Sequence, residues 1–496
     1  MELPPPDQDI LARRDEIVAA LKTIVSDGVV DDAAGRQVFD CDALAAYTQQ
    51  PLVVVLPKTR QQVIDVVKYA HAAGVPIVPR GSGTSLSGGS LPREDGILLA
   101  LGRMKSILEI DYENGCVVVE PGVTNLNITK AVDANGFYYA PDPSSQIACS
   151  IGGNVAENSG GLHCLKYGLT TNNLLGVVFI TPDGEEVRLG GKAGAQGGID
   201  LLGLITGSEG LLGTVVEVTV KILRKPPVTR TLLGSFDTVQ KAGECVAAII
   251  GDGILPAAME FMDRQCIEAI EAYNAPGYPP GSAAILIIDA DGVEADVTDT
   301  MQRLTAVIAR VGGISVEGTD EAQRVRMWSG RKASFAAMGR LQPDMICMDG
   351  TIPRKKLPEV LERMAEMSVQ YGLACCNVFH AGDGNLHPLI MFDANVPGEI
   401  ERATAFGGEI LELSVKLGGT ITGEHGVGVE KLAQMCAQFT PDELEVFQAV
   451  KRAFDPDGLL NPGKVIPTIA RCREYRLTKG ADLAAGERAD QPMVKA

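Results

Sequence analysis

The stretch that decides the fold is Pro79-Arg80-Gly81-Ser82-Gly83-Thr84-Ser85-Leu86-Ser87-Gly88-Gly89, which follows a short apolar run. Glycine lets a backbone turn tightly and approach a ligand closely, because no Cβ intervenes. Successive N–H groups of such a loop can surround an anion such as a pyrophosphate. The common phosphate-binding patterns do not fit: no Gly-Lys-Ser/Thr follows, and Leu86 occupies the place of the third Rossmann glycine. Taken alone, such a loop is more often just a turn.

Further glycine-dense loops occur in the same half of the chain, separated by apolar runs that are typical of buried strands. The strand candidates include residues 52–56, 97–101, 177–181 and 215–223. One flexible turn would explain one such loop, but it explains four poorly. The set therefore predicts a long ligand that lies against the backbone at many points. The other loops are Ser150-Ile151-Gly152-Gly153-Asn154-Val155-Ala156-Glu157-Asn158-Ser159-Gly160-Gly161 with the preceding Pro143-Ser144-Ser145, then Lys166-Tyr167-Gly168, and Gly207-Ser208-Glu209-Gly210-Leu211-Leu212-Gly213-Thr214.

Histidine is rare in this chain, and three of its five histidines fall in two short motifs near the C-terminus, His380-Ala-Gly-Asp-Gly-Asn-Leu-His387 and Gly423-Glu424-His425-Gly426. The apolar runs 375–380 and 387–392 predict two strands, and the Gly-Asp-Gly-Asn between them predicts a hairpin. Both imidazoles then lie at the mouth of that hairpin, close enough to share an ion.

Imidazole and carboxylate together suit a divalent transition metal, and histidine also serves as a base near neutral pH. We expect Glu424 on the metal and His425 directed toward a substrate. The plain alternative is that these are ordinary histidines beside glycine turns. The motif is not His-Glu-x-x-His on a helix, which disfavours a zincin-type protease.

The composition of the chain limits which partners and cofactors are expected. The chain has 496 residues and a formal charge of −19, so nucleic acid and anionic membrane surfaces are disfavoured as direct partners. No segment reads as a signal peptide or a membrane span. The eleven cysteines form no Cys-x-x-Cys motif, so we expect free thiols in a reducing cytoplasm and no iron–sulfur cluster within the chain.

Residues that end helices and strands divide the chain into several predicted units. A leading amphipathic helix extends to about residue 35, and Pro226-Pro227 ends the first large domain, because paired prolines continue neither strand nor helix. The predicted limits are a helical segment at 1–40, a ligand-binding domain at 41–227, a second α+β domain at 228–425, a returning segment at 426–470 and a polar tail at 471–496.

Together these motifs resemble the FAD-linked 2-hydroxy acid dehydrogenases, which carry a vanillyl-alcohol-oxidase-type FAD-binding domain. PRGSGTSLSGG, SIGGNVAENSGG and GSEGLLGTV resemble its FAD loops, while HAGDGNLH, GEHGVG and NPGKV resemble the C-terminal part. The segments 328–332 and 347–353 look closest to the FAD-linked catalytic D subunits of bacterial glycolate oxidases. The resemblance implies an α+β fold, in which two α+β subdomains bind FAD and an α+β cap domain and a C-terminal helical segment follow.

The resemblance also implies a chemistry. A small 2-hydroxy acid, most simply glycolate, would be oxidised to the 2-oxo acid by hydride transfer to FAD. Thr84 stands where some relatives attach FAD through a histidine, so the flavin should be non-covalent. Cys347 and Leu389 replace residues expected of an enzyme for a second carboxylate, which favours a small monocarboxylate. Alternatives are a D-lactate or other D-2-hydroxy acid dehydrogenase, a non-catalytic flavin subunit, and a zinc-stabilised binding module without flavin.

By the same resemblance, each site residue receives a role. His425 is the expected base, Arg331 binds the substrate carboxylate, and His380, His387 and Glu424 hold a divalent ion, most simply Zn²⁺. An iron–sulfur subunit and a second flavin-domain subunit would carry electrons onward, placing the chain in the cytoplasm or peripherally at the inner membrane. The expected cofactor-binding residues are Arg80, Gly81, Ser82, Gly83, Thr84, Ser85, Pro143, Ser144, Ser145, Gly152, Gly153, Asn158, Gly161, Tyr167 and Asn461.

Overall fold

The computed structural model describes residues 4–193 and 197–479. Its first unit is a four-stranded sheet in the order β1-β2-β4-β3, in which β2, β4 and β3 are parallel. Helices α2 and α4 contribute apolar side chains to the core beside this sheet. The elements are α1 (Gln8–Ala12), α2 (Arg14–Ile24), β1 (Val29–Val30), α3 (Ala33–Gln37), β2 (Val53–Val55), α4 (Arg60–Ala73), β3 (Ile77–Arg80) and β4 (Ile97–Ala100).

The single leading helix predicted to about residue 35 is wrong. Helix α2 ends at Ile24, and Gly28 donates to the Val25 carbonyl in a turn. The β-branched pair that follows then joins the sheet as β1, where Val29 pairs with Val55. Branching at Cβ favours extended backbone over helix, which accounts for the break.

The second unit is a five-stranded antiparallel sheet in the order β5-β6-β10-β8-β9. The glycine-dense loop 207–214 leads directly into its strand β10. The elements are β5 (Ile107–Asp111), β6 (Cys116–Val119), α5 (Asn125–Val132), β7 (Phe137–Tyr138), α6 (Ile151–Glu157), α7 (Cys164–Tyr167), α8 (Thr170–Asn173), β8 (Leu174–Ile180), β9 (Glu186–Gly190), α9 (Leu201–Ile205), β10 (Thr214–Lys221) and β11 (Leu223–Arg224).

A seven-stranded antiparallel sheet, in the order β15-β12-β14-β13-β17-β18-β16, forms the third unit. Alternate residues of a strand face opposite sides of a sheet. In β14, Leu286 and Ile288 accordingly join one apolar core, and Ile285 and Ile287 join another, so helices cover both faces. The elements are β12 (Val228–Phe236), α10 (Val239–Gly251), β13 (Ala258–Asp263), α11 (Arg264–Asn274), β14 (Ala284–Gly292), α12 (Glu294–Arg310), β15 (Ile314–Glu317), α13 (Glu321–Met338), β16 (Asp344–Cys347), α14 (Leu357–Tyr371), β17 (Cys375–His380), β18 (Pro388–Phe392) and α15 (Glu399–Lys416).

The C-terminal part consists of α16 (Leu432–Gln438), α17 (Pro441–Phe454) and α18 (Ile469–Lys479). Between α17 and α18 the chain returns to the first sheet, where Asn461 donates its N–H to the Ile77 carbonyl at 2.8 Å. The polar tail predicted from residue 471 begins inside α18, which continues to Lys479, and its remainder lies outside the described residues.

The prediction that all cysteines are free is also wrong. Cys436 of α16 and Cys472 of α18 form a disulfide across 36 residues of sequence, with 5.1 Å between their Cα atoms. Both side chains are buried where the two helices pack. No spacing rule in the sequence links two cysteines that are so far apart, and only the packing of the helices brings them together.

Candidate active site

A cavity of about 420 Å³ opens beside the end of β3, a size typical of small-molecule sites. Parallel strands bind ligands at their carboxyl ends, and β3 delivers Arg80 and the following loop to that edge. The predicted cofactor residues that line the cavity are Arg80, Gly81, Ser82, Gly83, Thr84, Ser85, Pro143, Ser144, Ser145, Gly152 and Gly153.

Several polar atoms that line this cavity are buried and have no hydrogen-bond partner among the described residues. They are Ser90 Oγ, Ser150 Oγ, Thr214 Oγ1 and Glu157 Oε2. A buried polar group without a partner is costly, so each of these atoms needs a ligand or a water molecule. A long polar ligand that follows the glycine-rich loops would satisfy this need.

The other predicted cofactor residues do not line the cavity. Asn158 accepts from the Thr171 N–H, and the Tyr167 hydroxyl donates to Asp291. At Gly161 a Cβ would collide with the backbone of Asp142, which accounts for the glycine. Asn461 is buried and donates to the carbonyls of Gly89 and Glu209, so it links the loop after β3 to the loop 207–214.

The predicted hairpin is confirmed: β17 and β18 pair antiparallel, and the turn brings His380 and His387 to one end. The imidazole centroids lie 5.0 Å apart. Glu424 Oε1 is 3.1 Å from His380 Nε2 and 3.3 Å from His387 Nε2. The second approach is off the hydrogen-bonding direction, so the His387 nitrogen remains without a hydrogen bond. Nitrogen and oxygen atoms of these three residues lie within 4.8 Å of one another, a spacing that one metal ion could bridge.

Charge distribution around this cluster follows from burial and proximity. Burial opposes ionisation of Glu424, but His380 and His387 outweigh it and hold the pKa of the Glu424 carboxyl well below its usual range. His425 stacks on His387 at 4.8 Å between ring centroids. Burial lowers the pKa of His425 to about 4, so its imidazole is neutral near pH 7.

The cavity and the histidine cluster meet. Glu424 and His425 line the same cavity as the loop that follows β3, together with Lys332 and Phe335 of α13. Two motifs more than 300 residues apart in sequence therefore face one space.

Comparison with known proteins agrees with this arrangement. Residues 51–190 match the family model described as an FAD binding domain, and residues 225–465 match the model for the C-terminal domain of FAD linked oxidases. The glycolate oxidase subunit GlcD of Escherichia coli K12 is 57% identical over 438 residues, covering 88% of each chain. The chain belongs to the family of FAD-linked oxidases.

One further comparison supports that assignment, and a solved structure supports the fold. The GlcD subunit of Bacillus subtilis is 38% identical over 445 residues, covering 89% of this chain and 95% of that protein. The structure of p-cresol methylhydroxylase with substrate bound superimposes with a TM-score of 0.79 at 19% identity, covering 94% of this chain and 99% of that one. The predicted family and α+β fold are confirmed, and this FAD-linked oxidase is an FAD-dependent oxidoreductase.

Two buried carboxylates of this FAD-linked oxidase were missed from the sequence. Glu260 of β13 accepts from His380 Nδ1 at 2.6 Å and from Arg331 Nε at 2.8 Å. It leaves His380 Nε2 facing Glu424, an arrangement that orients metal-ligating histidines. The predicted substrate ligand Arg331 is thus buried beside the cluster, where its Nε pairs with Glu260, and it is not among the residues that line the cavity.

Asp349 is the second missed carboxylate. It is fully buried, and it accepts the N–H groups of Gly423, Glu424 and His425 at 3.0, 3.1 and 2.8 Å. The Lys431 ammonium group pairs with it at 3.0 Å. Neither Glu260 nor Asp349 belongs to a local pattern of metal-binding or catalytic residues, so only the fold reveals their positions.

Proposed function

We propose that this FAD-linked oxidase converts a small 2-hydroxy acid, most simply glycolate, into the corresponding 2-oxo acid, glyoxylate. The observation that carries the proposal is the single cavity shared by the glycine-rich loops and the Glu424–His425 pair. The similarity to proteins named glycolate oxidase subunit GlcD supports glycolate as the substrate.

FAD is the cofactor of this family, and when bound it supplies a two-electron acceptor. Four unpartnered polar atoms of the cavity fit a ligand of that kind. Thr84 lies in the cavity lining and offers a hydroxyl group at the position where some relatives carry the histidine that attaches FAD. We therefore propose non-covalent binding of FAD.

A divalent ion, most simply Zn²⁺, also fits the residues present. His380 Nε2, His387 Nε2 and Glu424 would hold it, a donor set suited to zinc with positions left for other ligands. The bonded His380–Glu260 pair and the unpartnered His387 nitrogen support the assignment. Such an ion supplies positive charge that lowers the pKa of a neighbouring alcohol.

Residues of the chain itself would bind the substrate and accept its proton. His425, neutral and at the cavity wall, accepts the hydroxyl proton of the substrate. Arg331 does not line the cavity, and its Nη1 contacts Ser334 Oγ at 3.5 Å, so we propose that it acts on the substrate carboxylate through its positive charge rather than by direct contact. Cys347 and Leu389 are buried neighbours in paired strands, and neither offers a cationic group that could pair with a second substrate carboxylate.

The test is anaerobic reduction of the flavin in the purified holoenzyme by a panel of 2-hydroxy acids. Glycolate should bleach the flavin absorbance faster than D-lactate, L-lactate and D-2-hydroxyglutarate at equal concentration. Faster bleaching by D-lactate would move the assignment to the D-lactate alternative. A protein that binds flavin but is bleached by none of them would be a non-catalytic subunit, contrary to the proposal.

Electrons must then leave the flavin, and similarity to a protein named as a subunit suggests an assembly. We propose an iron–sulfur subunit and a second flavin-domain subunit as partners. Across residues 4–193 and 197–479, no helix is long and apolar enough to cross a bilayer. Co-purification of both partner subunits with a tagged chain tests the proposed assembly.

A further inference from the structure

A side chain from the FAD-binding part of the molecule accepts hydrogen bonds from the loop that carries His425. Glu209 lies in the loop 207–214, which lines the cofactor cavity. One of its carboxylate oxygens accepts the Val427 N–H at 2.7 Å, and the other accepts the Gly428 N–H at 2.8 Å. These two donors lie two and three residues after His425 and are more than 200 residues from Glu209 in sequence.

A carboxylate of the cap domain, that of Asp349, accepts hydrogen bonds from the first half of the same loop. Asp349 takes the N–H groups of Gly423, Glu424 and His425, so two buried carboxylates from different units bind five amides of residues 423–428. Lys431 completes the arrangement by donating to the Gly426 carbonyl at 2.9 Å. Hydrogen bonds to two different units of the molecule therefore fix the backbone on both sides of His425.

The Glu209 backbone is itself held in an unfavourable conformation. Its φ is 50°, in the left-handed region that residues other than glycine rarely occupy. The N–H donates to the Ala156 carbonyl at 2.8 Å, and the carbonyl accepts from Asn461 Nδ2 at 2.7 Å. Such strain persists where surrounding contacts enforce it, and it is concentrated at functional sites.

Space beneath the loop is equally restricted. Gly426 has a φ of 83°, and a Cβ at this position would collide with the carboxylates of Glu157 and Glu209. Glu157 also lines the cofactor cavity. The residue after His425 thus lies directly on two carboxyl groups that form part of the cofactor-binding wall.

We propose that Glu209 is a positioning residue for the oxidation: from the FAD-binding side it sets the orientation of His425 relative to the cofactor cavity. This inference rests on the proposed role of His425 as the base. The chemistry selects a carboxylate, since two N–H donors need two acceptor oxygens. Glutamine offers one oxygen and would turn an N–H₂ group toward the second donor.

The experiment compares the holoenzyme with Glu209→Gln and with Glu120→Gln as a matched control. Glu120 also accepts a backbone N–H, that of Ser106, at 2.7 Å, but it does not line the cavity.

In Glu209→Gln, hydrogen–deuterium exchange of the peptide containing residues 427 and 428 should accelerate, with FAD content unchanged. The rate of anaerobic flavin reduction at saturating substrate should fall about 100-fold, as expected for misplacement of a catalytic group, with little change in KM. Glu120→Gln should match the parent in all three measurements.

A double-mutant cycle separates positioning from a general structural role. If Glu209 acts through His425, adding Glu209→Gln to His425→Ala should cost no further rate. Unchanged amide exchange in Glu209→Gln, or rate losses that multiply in the double variant, would overturn the inference. Should Glu209→Gln fail to bind FAD, Glu209→Asp keeps the charge with a shorter reach and must show the same faster exchange. The His425→Ala variant alone reports on the proposed function, so failure of that function is recognised separately.

Discussion

His425 has the protonation state that a general base needs, because burial lowers its pKa to about 4. We predict that His425→Ala slows flavin reduction by about 100- to 10,000-fold, the usual contribution of a base, while FAD stays bound. The measurement is stopped-flow bleaching of the anaerobic enzyme by glycolate. The control is His71→Ala, on α4 and outside the cavity lining, which should leave the rate unchanged. A His425→Ala enzyme with parental rate would refute the assignment.

Arg331 gives a prediction about stability. Its guanidinium group and Glu260 are 5% and 0% exposed, and they form an ion pair at 2.8 Å. Leaving a buried charge without any partner costs about 3–5 kcal/mol, but Glu260 would keep its contact with His380. Arg331→Met should therefore lower the free energy of unfolding by less than about 3–5 kcal/mol, seen as a lower urea midpoint. Arg340→Met, at an exposed position, should change the midpoint little.

At this scale the sequence predicts side chains that belong to short motifs. His380, His387 and Glu424 were expected to share a site, and the hairpin does bring them together. Glu260 could not be predicted, because it lies 120 residues from His380 in sequence and its strand reads as an ordinary apolar run. A single acidic residue in a buried strand has no partner visible in the sequence, although it needs one in the fold.

Among the elements, the β17–β18 hairpin has one position that accepts only glycine. Gly384 has a φ of 83°, and a Cβ there would collide with the Ile352 carbonyl oxygen. We predict that Gly384→Ala displaces the turn between His380 and His387 and lowers the metal content of the purified protein, measured by inductively coupled plasma mass spectrometry. Gly372→Ala is the matched control: its φ is 65°, but no atom lies within 4 Å of the added Cβ. Equal metal content in both variants would contradict the prediction.

Elements were predictable where the pattern is local. The strands β2, β4, β8 and β10 and the β17–β18 hairpin follow from apolar runs bounded by glycine turns. The N-terminal helix and the C-terminal tail were not, since their structure depends on partners elsewhere: β1 forms against β2, and α18 is joined to α16 by the disulfide.

For the whole molecule, cofactor binding should contribute strongly to stability. Loops from both sheets of the FAD-binding part and side chains of the cap line one cavity, so a bound ligand contacts all three units. A ligand that binds only the folded state stabilises it by mass action, by about 2.7 kcal/mol at one hundred times its Kd. Because we expect no covalent link at Thr84, the melting temperature of protein stripped of flavin should rise steadily with added FAD.

Riboflavin is the informative control for that titration. It carries the ring system but lacks the pyrophosphate for which the loop after β3 is suited, so it should raise the melting temperature far less than FAD at equal concentration. Denaturing mass spectrometry of the loaded protein should show the bare chain, because non-covalent FAD dissociates on unfolding. A chain mass increased by that of FAD, or a melting temperature independent of FAD concentration, would contradict reversible binding across the three units.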